Sequence, residues 1–302
     1  MSRSFAFTLA DVFTTRRFSG NQLATFTDAR GISPAEMQSI AREINFSETT
    51  FVLPPEIPGS IKRLRIFTPA RELPMAGHPI VGTTFVLASR GEIPLATTLT
   101  TVNLQLEIGL VAVSIESASG APEFVWMAHR KPEFGALRTD RERVAKAVGV
   151  EESDLIEHLP LKVVSTGVPF LFVPLKSVAA LERCQSHKQP QLDLWSGDEP
   201  IGLYMFTKEE SPLTYRARCF APAQGIAEDP ATGGAAAPFA GYLVQYGLLP
   251  HEPEIRLIVH QGAELGRPSE IQVEILRQGT HIPSIRIGGS AVICAAGAML
   301  LD

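Results

Sequence analysis

Three short stretches of this chain occur twice, in the same order. Residues 67-FTPA-70 return as 220-FAPA-223, 78-HPIVG-82 as 229-DPATG-233, and 87-LASRGEIP-94 as 243-LVQYGLLP-250. A recurrence at about half the length of a 302-residue chain points to two similarly built halves. Each copy reads as strand, loop, helix, glycine stop and proline. The helices that begin at the second landmark have no polar face, so each must be buried all round, with a sheet wrapped about it. His78 and Asp229 both precede a proline, which predicts that each caps a helix whose first residue is that proline. Thirteen positions separate His78 from Gly91 and eighteen separate Asp229 from Gly247, so the second helix is expected to be longer. Pro238, in its middle, is expected to kink or split it.

The rest of the chain supplies the sheets. Alternating or apolar runs at 5–13, 50–54, 61–67, 104–117, 162–175, 201–206, 214–220, 271–276 and 285–300 read as strands. Ser33 followed by Pro34 starts an amphipathic helix over 34–44, and Asp140 starts another over 140–150. The glycines of 288-GGSAVICAAG-297 suit close packing of a terminal strand.

Composition excludes several classes. Net charge is −5 with no basic run, which argues against nucleic acid as a partner. The longest apolar run, 291–301, is about half of what a bilayer requires. The N-terminus reads as a strand rather than a signal peptide. Three scattered cysteines, Cys184, Cys219 and Cys294, form no disulfide framework and suit a reducing compartment, so a cytoplasmic location is expected. The seven histidines lack metal-ligand spacing, and no Walker loop, dinucleotide fingerprint or nucleophile elbow occurs. No metal and no cofactor are expected.

The small residues after His78 and Asp229 leave helix N-termini open to a carboxylate, which points to the amides of Gly82, Gly233 and Gly234 as its receivers. A third group stands in 44-INFSETTFVLP-54. Glu48 lies among apolar residues, where desolvation is expected to raise its pKa toward a range useful for proton transfer. Taken alone, Asp229 also reads as an ordinary cap and Glu48 as a solvent-facing strand glutamate.

Five stretches carry a resemblance: 11-DVFTTRRFSGNQLA-24, 47-SETTFVLP-54, 64-LRIFTPARELPMAGHP-79, 165-STGVPF-170 and 218-RCFAPAQGIAEDPATGG-234. In order and content the chain resembles the phenazine-biosynthesis isomerase-like family, of the diaminopimelate epimerase-like fold. The resemblance implies an α+β protein of two pseudo-symmetric halves, each a curved, mostly antiparallel sheet around a central helix. The first half would comprise 1–118 plus a terminal strand at about 286–302, and the second 119–285. It implies that Glu48 carries the proton, that His78 and Asp229 hold and polarise the substrate in a cleft between the halves, and that Asn21 and Gly77 join the substrate-binding positions. The expected activity is cofactor-free isomerisation of a small carboxylic acid, with a homodimer as the expected assembly. Two alternatives stand beside it: amino-acid racemisation or epimerisation, and a catalytically silent protein that binds a metabolite or a partner. Gly234 stands where the family commonly has serine, and Gln22 where it often has proline.

Overall fold

The computed structural model describes residues 2–194, 202–279 and 281–302. Ile201, the first residue of one expected strand, lies outside them. Contacts divide the chain into two compact units, one of residues 1–128 with 288–302 and one of residues 129–287.

In the first unit β1 (Arg3–Val12) pairs antiparallel with the C-terminal strand Ala291–Leu301 on one side and with β2 (Asn21–Phe26) on the other. Between β2 and the next strand comes α1 (Pro34–Ile44), opened by a capping box in which Ser33 and Glu36 satisfy each other's backbone amides. Then β3 (Glu48–Leu53) runs parallel to β2, and β4 (Lys62–Phe67) antiparallel to β3. After the two-residue β5 (Glu72–Leu73) comes α2 (Gly77–Ser89). β6 (Leu99–Leu106) is parallel to β4, and β7 (Gly109–Ala118) and β8 (Ala121–His129) close the series as antiparallel neighbours. The run 104–117, expected as one strand, is therefore two, because Gly109 at φ +107° turns the chain.

The sheet curves around α2, which touches β1, β2, β3, β7 and the C-terminal strand. Every residue of α2 except Phe85 and Ser89 is buried. Gly82 makes this possible, since a Cβ there would stand 2.5 Å from Val12 Cγ2 and 2.6 Å from Leu23 Cδ2. On the opposite face α1 lays Met37, Ile40 and Ala41 against Phe26, Phe51 and Phe67. The terminal glycines do admit close packing: a Cβ on Gly297 would meet the Phe7 ring, one on Gly289 the Phe13 ring, and one on Gly288 Phe124 and Trp126.

The second unit repeats this topology. Its strand β9 (Glu133–Arg138) pairs with β10 (Leu161–Ser165) after α3 (Arg141–Val148), and β10 pairs antiparallel with β11 (Pro169–Pro174). Short helices α4 (Val178–Arg183) and α5 (Lys188–Leu192) follow. β12 (Gly202–Lys208) is parallel to β11, and β13 (Thr214–Ala221) is antiparallel to β12. Next come the short β14 (Ile226–Asp229) and α6 (Gly233–Gln245). β15 (Glu254–Gln261) is parallel to β13, β16 (Ser269–Gln278) antiparallel to β15, and β17 (His281–Gly289) ends the unit. α6 touches β10, β11 and β16 and buries all but Gly234 and Gln245. Its core is aromatic, with Phe239 against Phe172, Tyr204, Phe206 and Tyr215.

Two expectations about the helices need correction. Both run 13 residues, and Gly91 and Gly247 follow each at positive φ. Pro238 does not split α6. It is the sixth helical residue, so the one ladder bond it removes would have served Gly234, still in the first turn.

Candidate active site

The loop before β2 delivers the first of the site residues. Asp11 Oδ2 accepts from the Phe18 N–H at 2.6 Å and from Cys294 Sγ at 2.9 Å, and Arg17 Nε donates to the Ile293 carbonyl. Gly20 sits at φ +64°, where a Cβ would stand 2.3 Å from the Val12 carbonyl oxygen, so glycine is required for the chain to fold back onto β1. The outcome is that Asn21 opens β2 with its side chain buried. Glu48 opens β3 beside it, in register with Leu23, and is 7% exposed. Both residues thus stand at the same end of adjacent strands.

Over that end lies the first turn of α2. Its N-cap is Ala76, so Gly77 and His78 are the first two helical residues, and His78 does not cap the helix as its Pro79 neighbour led us to expect. The His78 ring is 3% exposed. Burial pushes its pKa down to about 3, a hydrogen bond with the Gln22 backbone opposing, so the imidazole is neutral. Asn21 Nδ2 lies 3.1 Å from His78 Nδ1. On the other side of the ring is Nε2. That nitrogen faces Glu48 Oε2 at 3.4 Å. Asn21, Glu48, Gly77 and His78 therefore form one group. Gly82 does not join it as an anion receiver: it lies a turn deeper, inside the helical ladder, and packs on Val12 and Leu23.

In the second unit Asp229 is the last residue of β14, opposite Cys219 of β13, and not the cap of α6. The cap is Thr232, and Gly233 and Gly234 are the first two helical residues. By helix register His78 thus corresponds to Gly234, and the likeness of the His-Pro and Asp-Pro steps is not a structural equivalence. The cause is a clamp from β15. Gln261 Nε2 donates to the Asp229 carbonyl at 2.6 Å and to Thr232 Oγ1 at 2.9 Å, while its Oε1 accepts from the Thr232 N–H at 3.1 Å. These bonds hold residues 230–232 out of the helix. Thr232 Oγ1 in turn donates to Asp229 Oδ2 at 2.7 Å. Ser269 Oγ reaches the Pro230 carbonyl, and Gly262 lets that carbonyl approach to where a Cβ would be 2.5 Å away. The neighbouring Glu228 is taken up in a bidentate pair with Arg218 at 2.7 and 2.8 Å, which ties β14 to β13.

Sequence reading missed Thr232 and Gln261 as partners of Asp229, and Ser269 as the partner of the Pro230 carbonyl. The one signal was a Gln–Gly step closing the apolar strand 254–261. In the resembling stretch 165–170, Thr166 Oγ1 lies 2.9 Å from Nδ1 of His129, whose pKa burial pushes down to about 4. Among the described residues no group of three His, Cys, Asp or Glu side chains could hold a metal ion. No helix among them is long and apolar enough to cross a membrane.

Comparison with known proteins adds the following. The family model described as phenazine biosynthesis-like protein matches residues 10–297. An uncharacterized isomerase of Mesorhizobium japonicum is 36% identical, over 97% of this chain and 98% of that protein. A trans-2,3-dihydro-3-hydroxyanthranilate isomerase of Pseudomonas chlororaphis is 33% identical, over 98% of this chain and 99% of the relative. Among solved structures, a phenazine biosynthesis protein of the PhzF family from Bacillus anthracis superposes with a TM-score of 0.87 at 27% identity, covering 99% of this chain and 100% of that one. A hydroxyproline epimerase from Agrobacterium vitis shares the fold, with a TM-score of 0.72 at 12% identity over 99% of this chain and 92% of that one.

Proposed function

The chain belongs to the phenazine biosynthesis-like protein family and is an isomerase, and from that premise we propose that it moves a proton between two carbons of a small unsaturated carboxylic acid, with Glu48 as the carrier. The observation that supports this most is the buried pair of Glu48 and a neutral His78 only 3.4 Å apart. A general base must be held in one orientation and shielded from water, and the start of β3 under the first turn of α2 does both for Glu48. The Glu48 carboxylate removes a proton from an acidic C–H, and the electron pair enters the adjoining unsaturated system. The same carboxyl then returns the proton to a second carbon as the pair is withdrawn there. Only a proton moves, so no redox partner or electrophilic cofactor enters the proposal. A neutral His78 holds the carboxylate in place without adding a fixed positive charge, which would weaken Glu48 as a base.

For the second unit we propose a holding role. Thr232 donates to one oxygen of Asp229 and fixes the carboxylate, which then takes a hydrogen bond from a polar group of the substrate. The N-terminal amides of α6, at Gly233 and Gly234, receive the substrate's own carboxylate, where peptide dipoles favour negative charge.

The test is hydrogen exchange. Incubated in deuterium oxide with trans-2,3-dihydro-3-hydroxyanthranilate, on which the Pseudomonas relative acts by its name, and with a panel of unsaturated and amino carboxylic acids, the protein is expected to incorporate deuterium into at least one compound. The Glu48→Gln variant is expected to lose that incorporation by roughly 10²-fold or more while melting like the wild type. Exchange at the wild-type rate in Glu48→Gln sinks the proposal.

A further inference from the structure

The first unit has a cavity at the far end of α2 from His78. It is half open to solvent and has a volume of about 590 Å³, within the range of small-molecule pockets of roughly 300–1,000 Å³. Its apolar wall comes from Val52 and Leu53 of β3, the Pro54–Pro55 step beyond it, Ile61, and Ala6 of β1. Its charged wall comes from Asp28, Arg30, Lys62, Arg90 and Glu92. None of Asn21, Glu48 and His78 lines it. With a rise of about 1.5 Å per residue, Arg90 stands about 18 Å along the helix from His78, so this cavity is separate from the candidate active site.

The charged wall has a definite sense. Both carboxylates are occupied: Arg30 grips Asp28 through Nε at 2.8 Å and Nη2 at 2.6 Å, while Glu92 accepts from Lys62 Nζ at 2.9 Å and Arg90 Nε at 3.2 Å. Although burial opposes it, the bonds from Lys62 and Arg90 hold the Glu92 carboxyl below its ordinary range, so it stays ionised and engaged. The three cations have donors to spare. Arg30 retains Nη1, Arg90 both Nη groups, and Lys62 two of its three protons. The end of α2 opposes an anion with about half a negative charge. Three cations against two carboxylates leave one whole positive charge, which outweighs it.

We propose that this cavity is a second ligand site, taking a small organic monoanion whose apolar ring or chain lies on Val52, Leu53 and the prolines while its carboxylate is bound by Lys62 and Arg90. The site does not depend on the isomerase reading of Glu48.

Calorimetric titration of the whole protein with 1-naphthoate, which joins an apolar bicycle to one carboxylate, tests it. Saturable one-site binding is expected, with the neutral 1-naphthamide weaker by about tenfold or more, as loss of one charge-assisted contact implies. The doubly substituted Lys62→Met/Arg90→Met protein is expected to lose binding, and Glu48→Gln/His78→Gln to keep it. Thr27→Trp, which fills the cavity from β2's end without removing a charge, is expected to block binding as well and serves if the double substitution fails to fold. Absence of saturable binding, undiminished binding in Thr27→Trp or in the folded double variant, or loss of binding in Glu48→Gln/His78→Gln would each overturn the proposal.

Discussion

A histidine kept neutral by burial makes folding sensitive to acid, and His78 is such a residue. Its pKa falls from 6.5 to about 3 on folding. Between those values the unfolded chain binds a proton that the folded chain refuses, so stability rises with pH through the window. The contribution is complete above about 6.5 and is lost as the pH falls, by up to about 1.4 kcal/mol per unit. The groups facing the ring are the Asn21 amide and the Glu48 carboxyl. In His78→Gln the slope of unfolding free energy against pH between 4 and 6, from urea titrations, should therefore be smaller by about one proton. His129 adds a slope of the same sign to both proteins and cancels in the difference. Parallel slopes would show that His78 carries a proton in the fold. Glu48, His78 and Asp229 could be singled out as candidates because short motifs surround them. The charge state of His78 was not legible, because it follows from how many atoms crowd the ring.

Among the elements, the starts of α2 and α6 show how local pattern and tertiary contact divide the work. The apolar composition of both helices dictated their burial, and Gly91 and Gly247 their ends. Where they begin was decided elsewhere. A proline favours the first helical position, but Pro230 is kept out of α6 because Gln261, on β15, satisfies Thr232 and the Asp229 carbonyl before the helix can. Gln261→Leu takes both polar arms away in a site that is 2% exposed for Gln261. Leaving the Thr232 N–H without its acceptor and the Asp229 carbonyl without this donor should cost roughly 2–4 kcal/mol, read as a lower denaturation midpoint. On the proposed holding role the variant should also lose substrate affinity beyond what its residual stability explains: its KM should rise and saturating substrate should restore its activity, whereas Ser33→Ala, a helix-cap change remote from Asp229, should leave KM unmoved. A Gln261→Leu protein as stable as wild type would remove the clamp from the account. Two residues 32 positions apart in sequence offer no pattern that a reader of the chain can detect.

For the whole molecule, the first and last strands are one structural unit. β1 pairs with the C-terminal strand from Arg3↔Leu301 to Val12↔Ala291, and Met299 and Leu301 pack with Phe5 and Phe7 against the α1 cluster. A chain ending at Ser290 would expose an edge of β1 and uncover that cluster. Such a truncation should abolish cooperative melting of the first unit and open β1 to proteolysis, whereas loss of Leu301 and Asp302 alone should be tolerated. What the sequence by itself determined was the duplicated plan, the all-round burial of two helices and the three acid–base candidates. The helices and the candidates follow from composition and order within about twenty residues, over which periodicity and capping act, and the duplication from the return of such stretches in the same order. The tertiary structure alone decided that His78 matches Gly234 in helix register rather than Asp229, that Gly82 packs instead of receiving an anion, and that α2 has a charged cavity at its far end. Those outcomes depend on which strands lie against which helix, and contacts between segments distant in sequence leave no mark on local pattern.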